Sequence, residues 1–446
     1  MTFETATPSW SRSISAVVSI LIQVACRVAG AAAAVLLSLM MARSMNLDEM
    51  GLATSAMSVG VLGALIASVG MEAGGIRFLP GYLAHGETAR ARGFLRFGVG
   101  LAGALGIGFG ALALCVILTL VDPARRWPYA LAVAAAALIG LARVLASQSL
   151  GFRRPLAASI PMQLVRPTAL LALTGLAVLG LGAPSATAVM VAFALSVLLT
   201  IGLQIALTLP LHRRVADARP DYSPWREWLG VGVQLGMGAL FLEFGRDLAI
   251  FTASFALSAA EVAIYGVAIR IIGFVKFGVV AVNQNYLPAL SAAMARDERA
   301  KMERIIAISN HLKFWPVLAC CIGLVFLGPW ILALFGPEFE AARPLLLILM
   351  GEPLLMAALG PAAAVLSFSK HYTLIQISTL FATLLLVAAV FLGGRYGGMT
   401  GAAWGVIGAW GAWCLLLTVL VKRRLGLDVT ILGSIRWSLA RARAKL

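Results

Sequence analysis

Residues 97–121 read FGVGLAGALGIGFGALALCVILTLV, a run of 25 positions with no charged side chain. As an α-helix it would extend about 37 Å, enough to cross the ~30 Å hydrocarbon core of a bilayer. It lacks the apolar–polar alternation of a half-buried strand and is far longer than one. Carried back to residue 94, it is one of twelve such blocks: 14–42, 50–72, 94–121, 127–150, 160–182, 186–210, 228–257, 261–284, 305–335, 342–367, 372–393 and 399–421. The chain is 61% hydrophobic and 12% charged, against about 25% charged in an ordinary globular domain. The expectation is an all-α integral membrane protein of about twelve spans. The first block far exceeds the apolar core of a signal peptide and reads as a retained span.

The net charge of +16 would suggest nucleic acid in a soluble chain, but no aromatic-interleaved basic patch accompanies it. The bases instead cluster in alternate connections. One side collects Arg77, Arg90, Arg92 and Arg96; Arg153 and Arg154; Arg213, Arg214, Arg219 and Arg226; Arg296, Arg299, Lys301 and Arg304; Lys370; and the tail from Lys422 to Lys445. The other side has Arg43, Arg125, Arg126, Arg343 and Arg395 beside several carboxylates. By the positive-inside rule both termini are expected in the cytoplasm.

The two halves repeat. Leu79-Pro80-Gly81 and Leu287-Pro288-Ala289 each close the second span of a half, and each leads into a short basic segment. Glu49-Met50-Gly51 likewise matches Glu261-Val262-Ala263. Two six-span lobes, 1–215 and 216–424, are expected to share an orientation about a pseudo-twofold along the membrane normal. Residues 425–446 form a separate basic tail. Leu432, Ile435, Leu439, Ala442 and Leu446 recur at helical spacing with Arg436 and Arg443 read as the opposite face, as in an interfacial amphipathic helix. GxxxG spacings at Gly106/Gly110 and Gly232/Gly236 mark helix–helix contacts.

Function is carried by charges inside the blocks. Arg27, Arg143, Arg166, Arg246, Arg270 and Lys276 face four acids, Glu72, Glu243, Asp247 and Glu352. A charge turned to lipid is costly, so these side chains are expected to face a bundle interior or wet cavity. The basic surplus suits an anionic ligand such as phosphate or pyrophosphate. Gln23, Arg27, Ala34 and Ser38 fall on one face of the first span, and Lys276 shares a face with Asn283, near Gln284 and Asn285. Structural pairing is the competing reading: Glu243 and Arg246, three apart, could neutralise each other. Glu243 and Asp247, four apart, could form a coupling site for a proton or cation.

No cofactor, metal site or nucleic-acid partner is expected. Cys26, Cys115, Cys320, Cys321 and Cys414 all lie in apolar blocks, and His85, His212, His311 and His371 are scattered at block ends. There is no Walker A sequence, and no outer connection is long enough for the catalytic loop of a glycan-assembling enzyme.

Several segments resemble one known group. These are Leu287-Pro288-Ala289-Leu290-Ser291, Leu334-Phe335-Gly336-Pro337-Glu338-Phe339, Leu359-Gly360-Pro361 with Val365-Leu366, and Gly397-Gly398-Met399-Thr400-Gly401-Ala402-Ala403. In order and spacing they resemble the polysaccharide-transporter branch, with its O-antigen flippases, of the multidrug/oligosaccharidyl-lipid/polysaccharide (MOP) exporter superfamily. The resemblance implies a MATE-like arrangement of two six-helix lobes around a central cavity. It also implies alternating access in a bacterial inner membrane. The substrate it implies is a polyprenyl-pyrophosphate-linked oligosaccharide for lipopolysaccharide O-antigen, capsule or exopolysaccharide, and the partners are membrane lipids with polymerase or glycosyltransferase machinery. The alternatives are a cation-coupled multidrug or small-molecule exporter and a membrane enzyme of glycan assembly. Arg27 stands where the drug/cation branch often has an acid.

Overall fold

The computed structural model describes residues 9–369 and 372–443; Lys370, His371, Lys445 and Leu446 lie outside the described residues. The elements are helical throughout. In chain order they are α1 Ser9–Ser44, α2 Leu47–Ser68, α3 Met71–Ala84, α4 Thr88–Leu120, α5 Arg126–Gly151, α6 Pro155–Ser159, α7 Arg166–Leu181 and α8 Ala186–His212. There follow α9 Trp225–Leu242, α10 Gly245–Ala253, α11 Ala259–Ala295, α12 Arg299–Phe335, α13 Arg343–Leu349, α14 Gly351–Ala358, α15 Ala362–Ser367, α16 Tyr372–Leu425 and α17 Ile431–Arg443.

Each of the twelve apolar blocks is mostly helical, with breaks inside 50–72, 228–257 and 342–367. Nine helical stretches among the described residues are long and apolar enough to cross a bilayer, and α9 with α10 makes a tenth, bent by 65°. The element α16 is two helices. Gly398 breaks it with φ 58° and ψ −150°, and the chain folds back so closely that a Cβ on Gly393 would collide with the Gly401 carbonyl, and one on Gly405 with Ala389. The blocks 372–393 and 399–421 are therefore the two arms of a helical hairpin.

The duplicated starts share one local chemistry. The Asn46 Oδ1 accepts from the Glu49 N–H at 2.8 Å, and the Ser258 Oγ accepts from the Glu261 N–H at 3.3 Å. The second start is a full capping box, in which Glu261 Oε2 accepts from the Ser258 N–H at 2.9 Å. Both spans then carry a proline close to the end, Pro80 in α3 and Pro288 in α11. The halves differ where Val69 (φ 44°) and Gly70 (φ 68°) separate α2 from α3, whereas α11 runs on unbroken. A β-branched residue at positive φ is strained.

The chain divides into two compact units. The first comprises residues 1–44 and 59–236, the second residues 45–58 and 237–446. Unit 1 is centred on Trp228, fully buried with Phe94, Phe78 and Met71. Its indole N–H donates to the Tyr82 hydroxyl at 2.9 Å, so the one polar atom of this large ring is satisfied. The segment after α8 is fastened to α4: Arg92 Nη1 donates to the Ala218 carbonyl at 2.5 Å, and the Asp221 N–H donates to the Ala89 carbonyl at 3.0 Å. Backbone and side-chain donors of Ser223, and then Arg90, hold the Asp221 carboxyl below the usual carboxylate range.

In unit 2 the start of α2 lies against α11, so tightly that a Cβ on Gly51 would strike the Ala259 carbonyl. The tail helix α17 is docked on α12. Asn310 Nδ2 donates to the Val429 carbonyl at 2.7 Å and to Ser434 Oγ at 2.9 Å, and His311 Nε2 meets Ser438 Oγ at 3.2 Å. The buried face of α17 is therefore Ile431 and Ser434, while Leu432, Arg436 and Leu439 are exposed together. The faces differ from those expected: at 100° per residue Arg436 lies beside Leu432 and Leu439, and the side turned to α12 carries Ile431, Ser434 and Ser438.

Replacing Asn310 with Ala leaves the Val429 carbonyl buried without its donor, at a cost of about 1–3 kcal/mol. The expected outcome is a lower unfolding temperature of the detergent-solubilised protein and faster tryptic cleavage at Arg436 and Arg441, with cleavage at Arg296 unchanged.

Candidate functional site

Unit 2 holds a cavity of about 200 Å³ whose wall carries four of the sequence-named charges, Glu243, Arg246, Lys276 and Glu352. Its walls come from the break between α9 and α10, from α11, from α14 and from the second arm of α16. The break places Glu243 and Arg246 on the wall, and Asp247 stands in the first turn of α10, where a carboxylate favours the helix dipole. Behind the break, Phe241 is fully buried against Trp410 and Trp413, with centroids 4.4 and 5.3 Å away.

The 65° bend changes the charge relationships read from spacing. Glu243 and Arg246 are not on one continuous helix, and neither are Glu243 and Asp247, so neither pair has helical-neighbour geometry. Arg246 Nη2 instead lies 3.7 Å from Asp247 Oδ2 and reaches across Gly273 of α11. Arg270, on α11, is within electrostatic reach of both Arg246 and Asp247.

Lys276 is held more firmly. Its Nζ donates to Glu352 Oε1 at 2.5 Å and sits over the Trp410 ring, 4.9 Å from the centroid. Glu352 is buried in the first turn of α14. The cluster thus gathers three bases (Arg246, Arg270, Lys276) and three acids (Glu243, Asp247, Glu352), and the basic surplus expected from the sequence does not reside here. Asn283 follows Lys276 on the same unbroken helix; the side chains of Gln284 and Asn285 lie outside the described set.

That surplus belongs to unit 1, where Arg27, Arg143 and Arg166 stand against Glu72. Arg143 Nε is hydrogen-bonded to Glu72 Oε2. Arg27 Nε donates to Gln163 Oε1 at 3.1 Å. Gln163 lies in a π-helical turn, Ile160–Val165, that continues directly into Arg166. The turn has a cause in the sequence: Pro161 and Pro167 each remove a backbone N–H from the ladder. The Ala157 carbonyl, deprived of Pro161 as donor, accepts from Gln204 Nε2 at 3.2 Å. On α1 the expected polar face is turned to this turn, with Gly30 packed onto the Gln163 carbonyl and Pro167 and Gln23 Oε1 accepting from Ser159 Oγ at 3.5 Å.

One intramembrane base was not singled out by spacing. Lys313 on α12 is 1% exposed, and its Nζ has no hydrogen-bond partner among the described residues. The available signal was a lysine at the ninth position of block 305–335. Glu352 and Trp410 were likewise legible only as an acid and a tryptophan within apolar blocks. Among the described residues no group of His, Cys, Asp and Glu could hold a metal ion.

No family model and no curated protein sequence matches the chain. Solved structures do. An inward-facing multidrug resistance MATE family transporter of the MOP superfamily matches at a TM-score of 0.71 over 88% of this chain and 98% of its own, with 17% identity. The chain has the MOP transporter fold. The lipid II flippase MurJ, in an inward closed conformation, also matches at 0.71, covering 91% of this chain and 87% of its own with 12% identity. A third match is a MOP superfamily transporter from Pyrococcus furiosus described by the reverse polarity of its binding pocket, at 0.53 over 90% and 97% with 16% identity. The same fold is thus shared by a multidrug transporter and a lipid II flippase.

In this MOP-fold chain, Glu352→Gln leaves the Lys276 ammonium poorly compensated and is expected to destabilise by about 3–5 kcal/mol. The double replacement Lys276→Met/Glu352→Leu should restore most of that loss, as read by thermal unfolding in detergent across a double-mutant cycle.

Proposed function

We propose that this chain is a flippase that carries a polyprenyl-pyrophosphate-linked oligosaccharide from the cytoplasmic to the outer leaflet of a bacterial inner membrane. It would supply lipopolysaccharide O-antigen, capsule or exopolysaccharide assembly. The observation that carries the reading is the charge ratio in unit 1, where three bases, Arg27, Arg143 and Arg166, stand against one sequence-named acid, Glu72. Pyrophosphate oxygens accept well from guanidinium groups, which can grip two oxygens at once. Arg27 and Arg166 flank the same π turn, a local geometry that recurs at functional sites, and Gln163 between them offers a neutral donor for a bridging oxygen or sugar hydroxyl. The match to a lipid II flippase supports this reading, and so do the resemblances in residues 287–403.

Transport in this scheme needs no covalent chemistry. The headgroup replaces water around the arginines, which hold it at membrane depth, while the polyprenyl chain stays in lipid. Alternating access then presents the same charges to the other side. In this reading both termini face the cytoplasm, as the distribution of basic residues suggests, where glycosyltransferases would deliver the substrate, with a polymerase receiving it outside.

A cation-coupled exporter is the second reading, favoured by the carboxylates Glu243 and Glu352 on the wall of the unit 2 cavity and by Asp247 beside Arg246. One experiment separates them. With membrane levels matched, Arg27→Gln/Arg166→Gln should lower flipping at least tenfold and build up lipid-linked glycan on the cytoplasmic leaflet. Glu243→Gln/Asp247→Asn should leave glycan distribution unchanged. A normal leaflet distribution in the deletion strain, with cationic-drug efflux lost in the Glu243/Asp247 variant, would give the exporter reading instead.

A further inference from the structure

Unit 1 has a further concavity, about 310 Å³, that shares no residue with the interior just described. It is formed where the start of α4 meets the end of α8, and its lining includes Arg92, Arg96 and Arg213, with the imidazole of His212. No carboxylate lines it.

Such a gathering is electrostatically unfavourable by itself. Arg92 and Arg96 are one helical turn apart on α4, where like charges repel. Arg213 approaches from the 3₁₀ turn that follows α8. The nearby acids do not relieve it. Glu87 and Asp221 lie 3.0 and 3.5 Å from Arg90, and Asp217 is exposed and outside the lining. Arg92 is anchored through Nη1 on the Ala218 carbonyl, which fixes its guanidinium at the rim. Arg96 and Arg213 have no hydrogen bond or ion pair among the described residues.

His212 completes the set with a defined tautomer. Gln148 Nε2 donates to the Leu95 carbonyl at 3.1 Å, so its Oε1 is the acceptor facing His212 Nε2 at 2.9 Å. The imidazole therefore carries its proton on Nε2. Leu95, Leu209 and Val215 supply apolar wall between the cations. A concavity of this size with convergent donors and apolar flanks has the make-up of a ligand site.

We propose that this pocket binds a phosphate-bearing anion, held by Arg92, Arg96 and Arg213. The same chemistry is offered by an anionic lipid headgroup and by a free phosphate compound. The proposal goes beyond the flippase reading and does not depend on it, since Arg27, Arg166 and the unit 2 cluster take no part.

The test uses the full-length protein in detergent, as wild type, Arg96→Gln/Arg213→Gln, each single variant, and a control Arg423→Gln/Arg424→Gln. Retention of phosphatidylglycerol and phosphatidylcholine is read by native mass spectrometry, and stabilisation by inorganic pyrophosphate by thermal unfolding. At least fivefold weaker phosphatidylglycerol retention in the double variant, with phosphatidylcholine and the control unaffected, identifies a lipid headgroup. Unchanged lipid retention together with a pyrophosphate-induced stabilisation present in wild type and absent in the variant identifies a free phosphate compound. Should the double variant fail to fold, a twofold or greater loss in either single variant carries the same meaning. Variants indistinguishable from wild type in both assays, or a control that loses as much, overturn the proposal.

Discussion

In hydrocarbon, apolar side chains gain little by leaving lipid for protein, so helices hold together where their backbones can touch. The glycines of this chain do that work at specific places. Gly51 lies on the Ala259 carbonyl, Gly75 on Ser147, Gly140 on Ala64 and Ala67, and Gly393 on Gly401. A side chain at any of these would force two helices apart. The charged residues are placed within that frame, because close packing leaves few positions where an ionised group can find a partner instead of lipid.

Charge then sorts by unit in a way the linear sequence conceals. Taken as one list, the bases outnumber the acids, which suggests a single cationic chamber. In unit 2 Arg246, Arg270 and Lys276 are grouped with Glu243, Asp247 and Glu352 at or near a small cavity lined in part by Trp410, and Lys313 is buried apart from them. In unit 1 Arg27 and Arg166 stand beside a π turn, and Arg143 is bonded to Glu72.

The spans were legible because uninterrupted hydrophobic blocks of bilayer length are rarely anything but membrane helices, and even the hairpin in α16 was visible as two blocks separated near Gly398. What escaped was geometry within spans. The segment 228–257 looks like one helix by composition, yet it breaks after Leu242, and spacing arguments across the break fail for Glu243, Arg246 and Asp247. The burial of Lys313 escaped because a lone lysine among apolar neighbours announces presence but not depth. The tail was read as a helix, but its docking depends on Asn310, 119 residues before its partner Val429, and no local pattern encodes that.

The wide turn at Ile160–Val165 has an arithmetic consequence. Each residue of an α-helix advances about 100°, and a π turn accommodates one residue more than an ordinary turn does. Everything after it on this span is rotated by roughly a quarter turn relative to a continuous helical wheel drawn from Pro155. Arg166 and Thr174 therefore occupy azimuths that the upstream residues would not forecast. Removal of a single residue from that turn would swing the whole downstream face while leaving its composition untouched.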